Sequence, residues 1–356
     1  MGMTMRLFPG DFQANALGER AALAPTSRRN GMAAPARVRA RASAADHKVT
    51  VTANAAWAGA QPRLSVLTPF LRDDPAALIA AIQEQASQLS APVEMVILDD
   101  GTGDDALTRR LIEQIQGLAM PAAFVQLAAN EGRAAARNRL AQYARGRHFL
   151  FLDADTVPDR ADFLLAYLEM IEADDPPLVI GGFSLIQAPH APEFTLHRTM
   201  ALTLDCMPAP VRQVEPWRFV YGANILVRRD VMEAVPFNPD YRAWGWEDQE
   251  WGMRIAERWP ILHVENTVSH LGLDPVETLL DKYASSGANF HKILADHPER
   301  VRAYPAYKAA RMLSGVPCKA AFIDLSRKVA KNRYAPLTAR TFALRAFRVL
   351  NYLASH

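Results

Sequence analysis

Residues 149–159, FLFLDADTVPD, begin with four consecutive apolar residues, which are followed at once by Asp153 and Asp155. A short apolar run of this kind is typical of a strand that is buried on both faces of a sheet. Because side chains alternate along a strand, Asp153 and Asp155 point to one side and Ala154 to the other. The stretch therefore predicts a buried strand that delivers two carboxylates to the edge of a sheet.

Upstream of this stretch, short β-rich runs alternate with helical patterns. The runs are LSVLTP at 64–69, VEMVIL at 93–98 and AFVQL at 123–127. Apolar residues recur at helical spacing between them, as in Leu78, Ile79 and Ile82. This alternation predicts an α/β fold with a doubly wound, mostly parallel sheet. Ligands of such sheets bind at the carboxyl ends of the strands.

The residues that follow the predicted strands are therefore the candidate binding residues. They are Thr68, Pro69 and Phe70, then Asp99 and Asp100, then Gly132 and Arg133, and finally Asp153 and Asp155. Two carboxylates on one side form a hard-oxygen site that suits Mg²⁺ or Mn²⁺ and leaves positions open for a diphosphate. We read the segment from Asp159 to Ile171 as the helix that follows this pair.

Two of these groups of residues could instead have a purely structural role. Asp99 or Asp100 could accept a hydrogen bond from a nucleobase or ribose, but the acidic cluster could equally serve turns and helix caps. Arg133 and Arg137 lie four residues apart at a predicted helix start, where phosphate is favoured. A solvated helix face would carry the same pattern.

A second motif, AWGWEDQEWGMRI at 243–255, sets acidic residues among tryptophans and glycines. Glu247 and Asp248 suit the positive N-terminal end of a helix. That explanation leaves Trp244, Gly245 and Trp246 unexplained. The two tryptophans could stack on a sugar ring, although tryptophans in such positions are more often core residues.

The motifs TPF, DDGTGDD, NEGRAAARN and FLFLDADT, in this order, resemble the nucleotide-binding half of inverting GT-A glycosyltransferases of family 2. WGWEDQEWGMRI resembles the acceptor-side motif of galactosyltransferases and chondroitin-polymerase-type domains. The resemblance covers roughly residues 63–297, and five ordered motifs make it far more specific than any one of them.

The resemblance implies roles for individual residues. Pro69 and Asp100 would lie against the base and ribose with support from Asp99, and Gly132 and Arg137 would line the nucleotide pocket. Gly222 and Asn224 would border the sugar. Asp153 would hold the ribose or diphosphate, and the metal ligands would be Asp155, Asp153 and His270. Glu247 would bind a sugar hydroxyl, and Asp248 would be the catalytic base.

The implied activity is metal-dependent, inverting transfer of a sugar from a nucleoside diphosphate sugar, a UDP-sugar by resemblance, to a glycan or lipid-linked acceptor. Mn²⁺ or Mg²⁺ would be the cofactor. Two alternatives remain: a catalytically silent nucleotide-sugar-binding protein, and a sugar nucleotidyltransferase. For His270, the alternative is an ordinary loop histidine.

We predict three regions. Residues 1–60, rich in Ala, Arg and Ser, form a flexible basic tail. Residues 61–300 form the GT-A domain, with a nucleotide-binding half at 61–160 and an acceptor half at 161–300. Residues 301–356 form a basic helical extension that either packs on the core or contacts a membrane surface.

The composition limits the possible binding partners of the protein and its cellular compartment. A net charge of +2 on 356 residues argues against nucleic acid held by bulk electrostatics. Two separated cysteines suggest neither a zinc site nor a disulfide framework. With no signal peptide or spanning segment in the sequence, we expect a cytoplasmic protein, at the inner face of the membrane if the extension binds lipid.

Overall fold

The computed structural model describes residues 49–314 and 318–354. Its strands are β1 (Val49–Ala53), β2 (Leu64–Phe70), β3 (Val93–Asp99), β4 (Ala122–Leu127), β5 (His148–Leu152), β6 (Thr156–Pro158), β7 (Leu178–Ile180), β8 (Phe183–Ser184), β9 (Asn224–Arg228), β10 (Leu262–His263) and β11 (Val268–His270).

The helices before residue 260 are α1 (Ala76–Ala86), α2 (Asp105–Gln116), α3 (Arg133–Tyr143), α4 (Phe163–Asp174), α5 (Thr195–Leu204), α6 (Ala209–Arg212), α7 (Arg229–Ala234) and α8 (Glu247–Ile255). The later helices are α9 (Val276–Asp296), α10 (Pro298–Ala303), α11 (Pro305–Leu313), α12 (Lys319–Lys331) and α13 (Leu337–Ala354).

The main sheet has eight strands in the order β1-β4-β3-β2-β5-β9-β7-β10. Strands β4, β3, β2 and β5 are parallel to one another, while β1 and β9 run antiparallel to their neighbours. The apolar runs of β2, β3 and β5 are buried because helices cover both faces of the sheet. The predicted doubly wound, mostly parallel sheet is therefore present.

The parallel register places the ends of the central strands at one edge. Phe70 at the end of β2 pairs with Asp99 at the end of β3. Strand β5 lies against β2 on its other side, so Asp153 follows at the same edge. This is the edge at which parallel sheets bind ligands.

A second sheet has three strands in the order β6-β11-β8, and its strand β6 follows β5 in the chain. Within it, β11 is antiparallel to β6, and His270 pairs with Thr156. Because Thr156 follows Asp155, this pairing carries a histidine from far along the chain to the aspartates. The three short strands of this second sheet therefore lie next to the edge of the main sheet at which β5 ends.

The C-terminal helices pack on the domain. Leu196 and Met200 of α5 share one apolar cluster with Leu279, Tyr283 and Phe347 of α9 and α13. A second cluster joins Trp246 and Met253 to residues of α9, α11 and α13. The extension is therefore partly core. In the described part of the chain, no helix is long and apolar enough to cross a membrane.

Two predicted boundaries are corrected. The tail was predicted to extend through residue 60, yet residues 49–53 form β1, which pairs with β4 across all five of its residues. This strand is short, and none of its five residues is fully buried, so the Ala-rich context gave no apolar run that would predict it. The remainder of the predicted tail lies outside the described residues. Helix α4 begins at Phe163 rather than Asp159, because residues 159–162 form a turn with Asp159 bonded to Thr267.

Candidate functional site

Arg137 joins two of the predicted site residues. Its guanidinium donates to Asp153 Oδ1 at 3.0 Å from Nη2 and to Asp248 Oδ1 at 3.1 Å from Nη1. The side chain is 1% exposed, so water does not solvate this charge. Burial lowers the pKa of Arg137, but Asp248 and Asp153 outweigh it and the pKa is raised overall. Arg137 is thus a permanent buried cation between two carboxylates, and its place in a nucleotide pocket stays a prediction.

Asp248 is held from a second direction. Its Oδ2 accepts the backbone N–H of Gly222 at 2.7 Å. A Cβ on Gly222 would lie 1.8 Å from Arg137 Nη2, so only glycine permits this approach. The predicted Gly222 therefore belongs to the site through its backbone. Asp248 keeps 18% of its side-chain surface exposed, and a substrate can reach it.

The turn before α8 is strained and clamped. Gly245 and Trp246 both have positive φ, 80° and 76°, which is costly for a tryptophan. Asn289 Nδ2 donates to the carbonyls of Ala243 and Gly245 at 2.7 Å each. The strain fixes where α8 starts, and hence where Glu247 and Asp248 lie.

Trp246 is a core residue, which corrects the predicted role of lining an acceptor site. It is 8% exposed and packs on Phe290, Tyr304 and Tyr352. Trp244 is half-buried, with its ring 5.7 Å from that of Tyr283. Of the two predicted stacking tryptophans, Trp244 alone retains a substantially accessible surface.

Glu247 is a buried carboxyl group beside Asp248. Its side chain is 2% exposed, and no partner for Oε2 exists among the residues that the structure describes. Arg133 Nη1 lies 4.0 Å from Oε1. Burial, together with the charge of Asp248, raises the pKa of Glu247 to about 7 despite the opposing effect of Arg133. This residue can therefore hold or release a proton near neutral pH.

Asp155 and His270 meet at the other side of the site. Asp155 Oδ2 lies 3.3 Å from His270 Nε2. Burial disfavours the imidazolium, but hydrogen bonding and charge from Asp155 outweigh it and the pKa of His270 is raised. A Cβ on Gly272 would lie 1.9 Å from Asp155 Oδ2, so glycine is needed here as well.

This oxygen and nitrogen pair suits Mn²⁺ or Mg²⁺, with positions left open for phosphate oxygens. The predicted third ligand, Asp153, is instead paired with Arg137. Among residues 49–314 and 318–354, no three His, Cys, Asp or Glu side chains are arranged to hold a metal ion. Asp153, Asp155 and His270 stay the predicted metal ligands, and of these Asp155 and His270 are in direct contact.

The three candidate residues of β2 differ in how far they are exposed. Phe70 is 4% exposed, and its ring centroid lies 6.1 Å from that of Phe124. Its contact with a nucleotide stays a prediction. Thr68 is buried, and its hydroxyl finds no partner in the described chain. Pro69 is half-buried and remains accessible from the edge.

The acidic pair after β3 serves the loops. Asp99 Oδ1 accepts the N–H of Thr102 at 2.8 Å. Asp100 accepts the N–H groups of Glu131 and Gly132 at 2.7 and 3.0 Å, which ties this loop to the start of α3. The turn chemistry that the sequence left as an alternative is present, and both aspartates are almost fully buried.

Asn224 is also internal. Its Oδ1 accepts the hydroxyl of Tyr167 at 2.7 Å, and its Nδ2 donates to the carbonyls of Gly182 and Asn266. All of its polar atoms are therefore used within the fold. Asn224 thus braces β9 against the loops around it, and its place beside the sugar stays a prediction.

The structure brings close to the site several residues that the sequence analysis did not single out. The pKa of Asp73 is raised by burial and then by the charge of Asp155, which places Asp73 on the Asp155 side of the site. Lys282 Nζ contacts Asp274 Oδ2 at 2.6 Å, and the N–H of Asp274 donates to His197 Nδ1. The ring of His197 lies 6.2 Å from that of His270. Of these residues, only the aspartate pair after β2 could be seen as a signal in the sequence. The contacts that come from α5 and α9 follow no local sequence pattern.

Comparison with known proteins defines the class. Residues 65–235 match the model of the family Glycosyl transferase family 2. TuaG of Bacillus subtilis (strain 168), named as a teichuronic acid biosynthesis glycosyltransferase, is 30% identical over 148 residues, which are 41% of this chain and 56% of TuaG. The match thus spans little more than half of that relative.

A solved structure shares the fold. Mannosyltransferase PcManGT from Pyrobaculum calidifontis, in complex with GDP-Man and Mn²⁺, has a TM-score of 0.52 at 16% identity, covering 82% of this chain and 86% of that one. The α/β fold predicted from the sequence is confirmed as the GT-A type. Residues 65–235 are therefore similar in sequence to glycosyl transferase family 2.

The buried Glu247 gives a stability prediction. A carboxyl group whose pKa is raised from 4.5 to about 7 stabilises the fold below the lower value and loses that contribution as the pH rises to the upper one. Glu247→Gln should therefore raise the free energy of unfolding by about 1–3 kcal/mol at about pH 8 and change it little at about pH 4. Urea unfolding at both pH values measures the difference. The exposed Glu257→Gln is the matched control, and a gain that does not depend on pH would contradict the assignment.

Proposed function

We propose that this protein is a metal-dependent, inverting glycosyltransferase that uses a nucleoside diphosphate sugar, with a UDP-sugar as the first candidate. The observation that carries the proposal is the Arg137 bridge, which sets the carboxylate after β5 beside the carboxylate at the start of α8. The first carboxylate follows the strand end where a nucleotide would bind, and the second lies on the acceptor half of the domain.

Asp248 is the base in this proposal. Arg137 and the Gly222 N–H fix its carboxylate, and its exposed surface leaves a lone pair for an acceptor hydroxyl. The hydroxyl proton passes to Asp248 as the acceptor oxygen bonds to the anomeric carbon. The bond from that carbon to the diphosphate oxygen breaks, and the nucleoside diphosphate leaves with the electron pair. One displacement inverts the anomeric centre.

The departing diphosphate requires positive charge. Asp155 and His270 would hold Mn²⁺ or Mg²⁺, which acts as a Lewis acid on phosphate oxygens when it is bound. Arg133 has half of its side chain exposed at the same edge and is the protein's own cation for that group. Asp153, fixed by Arg137, stands between the metal pair and the base.

The base assignment is tested by Asp248→Asn. We expect transfer to fall about 10²–10⁴-fold because an amide cannot take the hydroxyl proton. Manganese-dependent binding of the donor should persist, since Asp248 does not contact the donor phosphates in this proposal. Product formation from UDP- and GDP-sugars, followed by chromatography, measures the first quantity, and calorimetry measures the second. Asp240→Asn, an exposed change in the preceding loop, is the control. Transfer at the wild-type rate would refute the assignment.

The metal assignment is tested by Asp155→Ala. This variant should bind the donor equally weakly with Mn²⁺ and with chelator, whereas the wild type should bind more tightly with Mn²⁺. Calorimetric titrations under both conditions give the comparison. Asp162→Ala removes an exposed aspartate a short way downstream and should behave as wild type. If Mn²⁺ still improves donor binding to Asp155→Ala, the ligand lies elsewhere.

We also infer that the extension contacts an anionic membrane surface, which would suit a lipid-linked acceptor. Phe322 and Leu325 are 46% and 55% exposed on one face of α12, and Phe342 of α13 is 74% exposed. Lysines and arginines are interleaved with these residues, and Asp324 is the one acidic residue from 302 to 356. Apolar side chains among bases are typical of helices that lie in a lipid interface.

A vesicle assay tests this contact. The double variant Phe322→Ser/Leu325→Ser should bind phosphatidylserine-containing vesicles several-fold, roughly 10-fold, more weakly than wild type, because it loses apolar insertion. Sedimentation with such vesicles, and with pure phosphatidylcholine vesicles, measures the loss. Ile186→Ser, at a residue that is 74% exposed and far from the basic segment in sequence, is the control. Equal sedimentation of the double variant and wild type would leave the extension with a packing role alone.

A further inference from the structure

The loop between β11 and α9 joins a predicted metal ligand to a long helix. It starts after His270 and ends at Pro275, the residue before α9. The Leu271 N–H donates to the backbone carbonyl of Asp155 at 2.7 Å, and a Cβ on Gly272 would lie 1.9 Å from Asp155 Oδ2. Because the loop lies this close to Asp155, any shift of the loop would also move His270 relative to that carboxylate.

The far end of this loop is held at Asp274 by two side chains. The Asp274 backbone N–H donates to Nδ1 of His197 at 2.7 Å, and its carboxylate Oδ2 accepts a hydrogen bond from Lys282 Nζ at 2.6 Å. The side chains of His197 and Asp274 are 17% and 15% exposed, so both bonds are largely shielded from water. We refer to His197 and Lys282 as the Asp274 clamp.

His197 is itself fixed by the helix that carries it. In α5, Leu196 and Met200 are each 1% exposed. Both share an apolar cluster with Leu279 of α9. Because this packing fixes the backbone of α5, the imidazole of His197 has a defined position from which to accept the Asp274 N–H.

The hydrogen bond also defines how the imidazole of His197 is used. A backbone N–H can only donate, so Nδ1 contributes a lone pair and the ring carries its proton on Nε2. The centroid of the same ring lies 6.2 Å from that of His270, with the two planes at 62°. The ring of Phe183 lies 6.0 Å from that of His270 as well. His197 therefore contacts both the His270 ring and the loop that follows it.

A histidine that binds a metal needs other groups to fix the direction of its ring. We propose that His197 is a positioning residue for the metal site: by accepting the Asp274 N–H, it holds the loop that sets the His270 imidazole at the Asp155 carboxylate. Lys282 supports the same loop position through the Asp274 carboxylate. This inference rests on the proposed metal-dependent function and adds to it a residue that binds neither the metal nor the donor.

Nucleotide binding by full-length variants tests the inference. UDP and GDP are titrated by calorimetry at saturating Mn²⁺ and with EDTA, and the ratio of the two Kd values gives the metal enhancement. His197→Phe keeps an aromatic ring but has no acceptor, so the enhancement should fall about 10-fold while the Kd with EDTA stays at the wild-type value. His197→Asn places a carbonyl oxygen near the position of Nδ1 and should recover most of the enhancement.

Two further variants complete the experiment. His190→Phe makes the same change at an exposed histidine shortly before α5, and it should leave both Kd values unchanged. If urea unfolding shows that His197→Phe does not fold, Lys282→Met takes its place. That change removes the other side chain of the Asp274 clamp at a residue that is 32% exposed, and it should lower the metal enhancement several-fold.

The outcomes separate the two proposals. If Mn²⁺ improves the binding of neither UDP nor GDP to wild type, the proposed metal-dependent function fails, and the role of His197 fails with it. If wild type shows the enhancement and His197→Phe, or Lys282→Met in its place, keeps it, the positioning role alone is overturned. An equal loss of affinity with Mn²⁺ and with EDTA would also overturn it, since the residue would then act on the nucleotide or on the fold. A His197→Asn variant with no more enhancement than His197→Phe would do the same, because an acceptor at the Nδ1 position would then have no effect.

Discussion

The site depends on one buried cation. Arg137 is almost completely withdrawn from water and binds Asp153, which follows β5, and Asp248, which lies at the start of α8. Removing either partner would leave an incompletely compensated charge in a region of low dielectric, which is far more costly than breaking a surface pair. The same bridge explains why Gly222 admits no side chain. The position of the proposed base is therefore coupled to the end of β5.

The second constraint is the turn at Gly245 and Trp246. A tryptophan with positive φ persists only where its surroundings compensate the strain, and here Phe290, Tyr304 and Tyr352 enclose the ring. These rings come from α9, from the residue before α11 and from α13. The C-terminal helices thus do more than cover the domain, because they hold the start of α8 and with it Glu247 and Asp248.

Much of the fold was predictable because its signals are local. Continuous apolar runs gave β2, β3 and β5, and the residues after them lie at the predicted edge. Roles within that edge were less predictable, since a side chain's partner depends on chains that meet in space. Phe70 entered the core, Asn224 became a brace, and Asp100 bonded the loop before α3. Strand β1 was missed because its five residues, none of them fully buried, gave no apolar run.

The sequence by itself determined the doubly wound sheet, the aspartates after β5 and the ordered motifs that resemble glycosyl transferase family 2, since each is written in contiguous residues. The tertiary structure alone decided that His270 meets Asp155 and that Arg137 joins Asp153 to Asp248. These contacts link residues far apart in the chain through strand register and helix packing. A local sequence pattern does not specify strand register or helix packing.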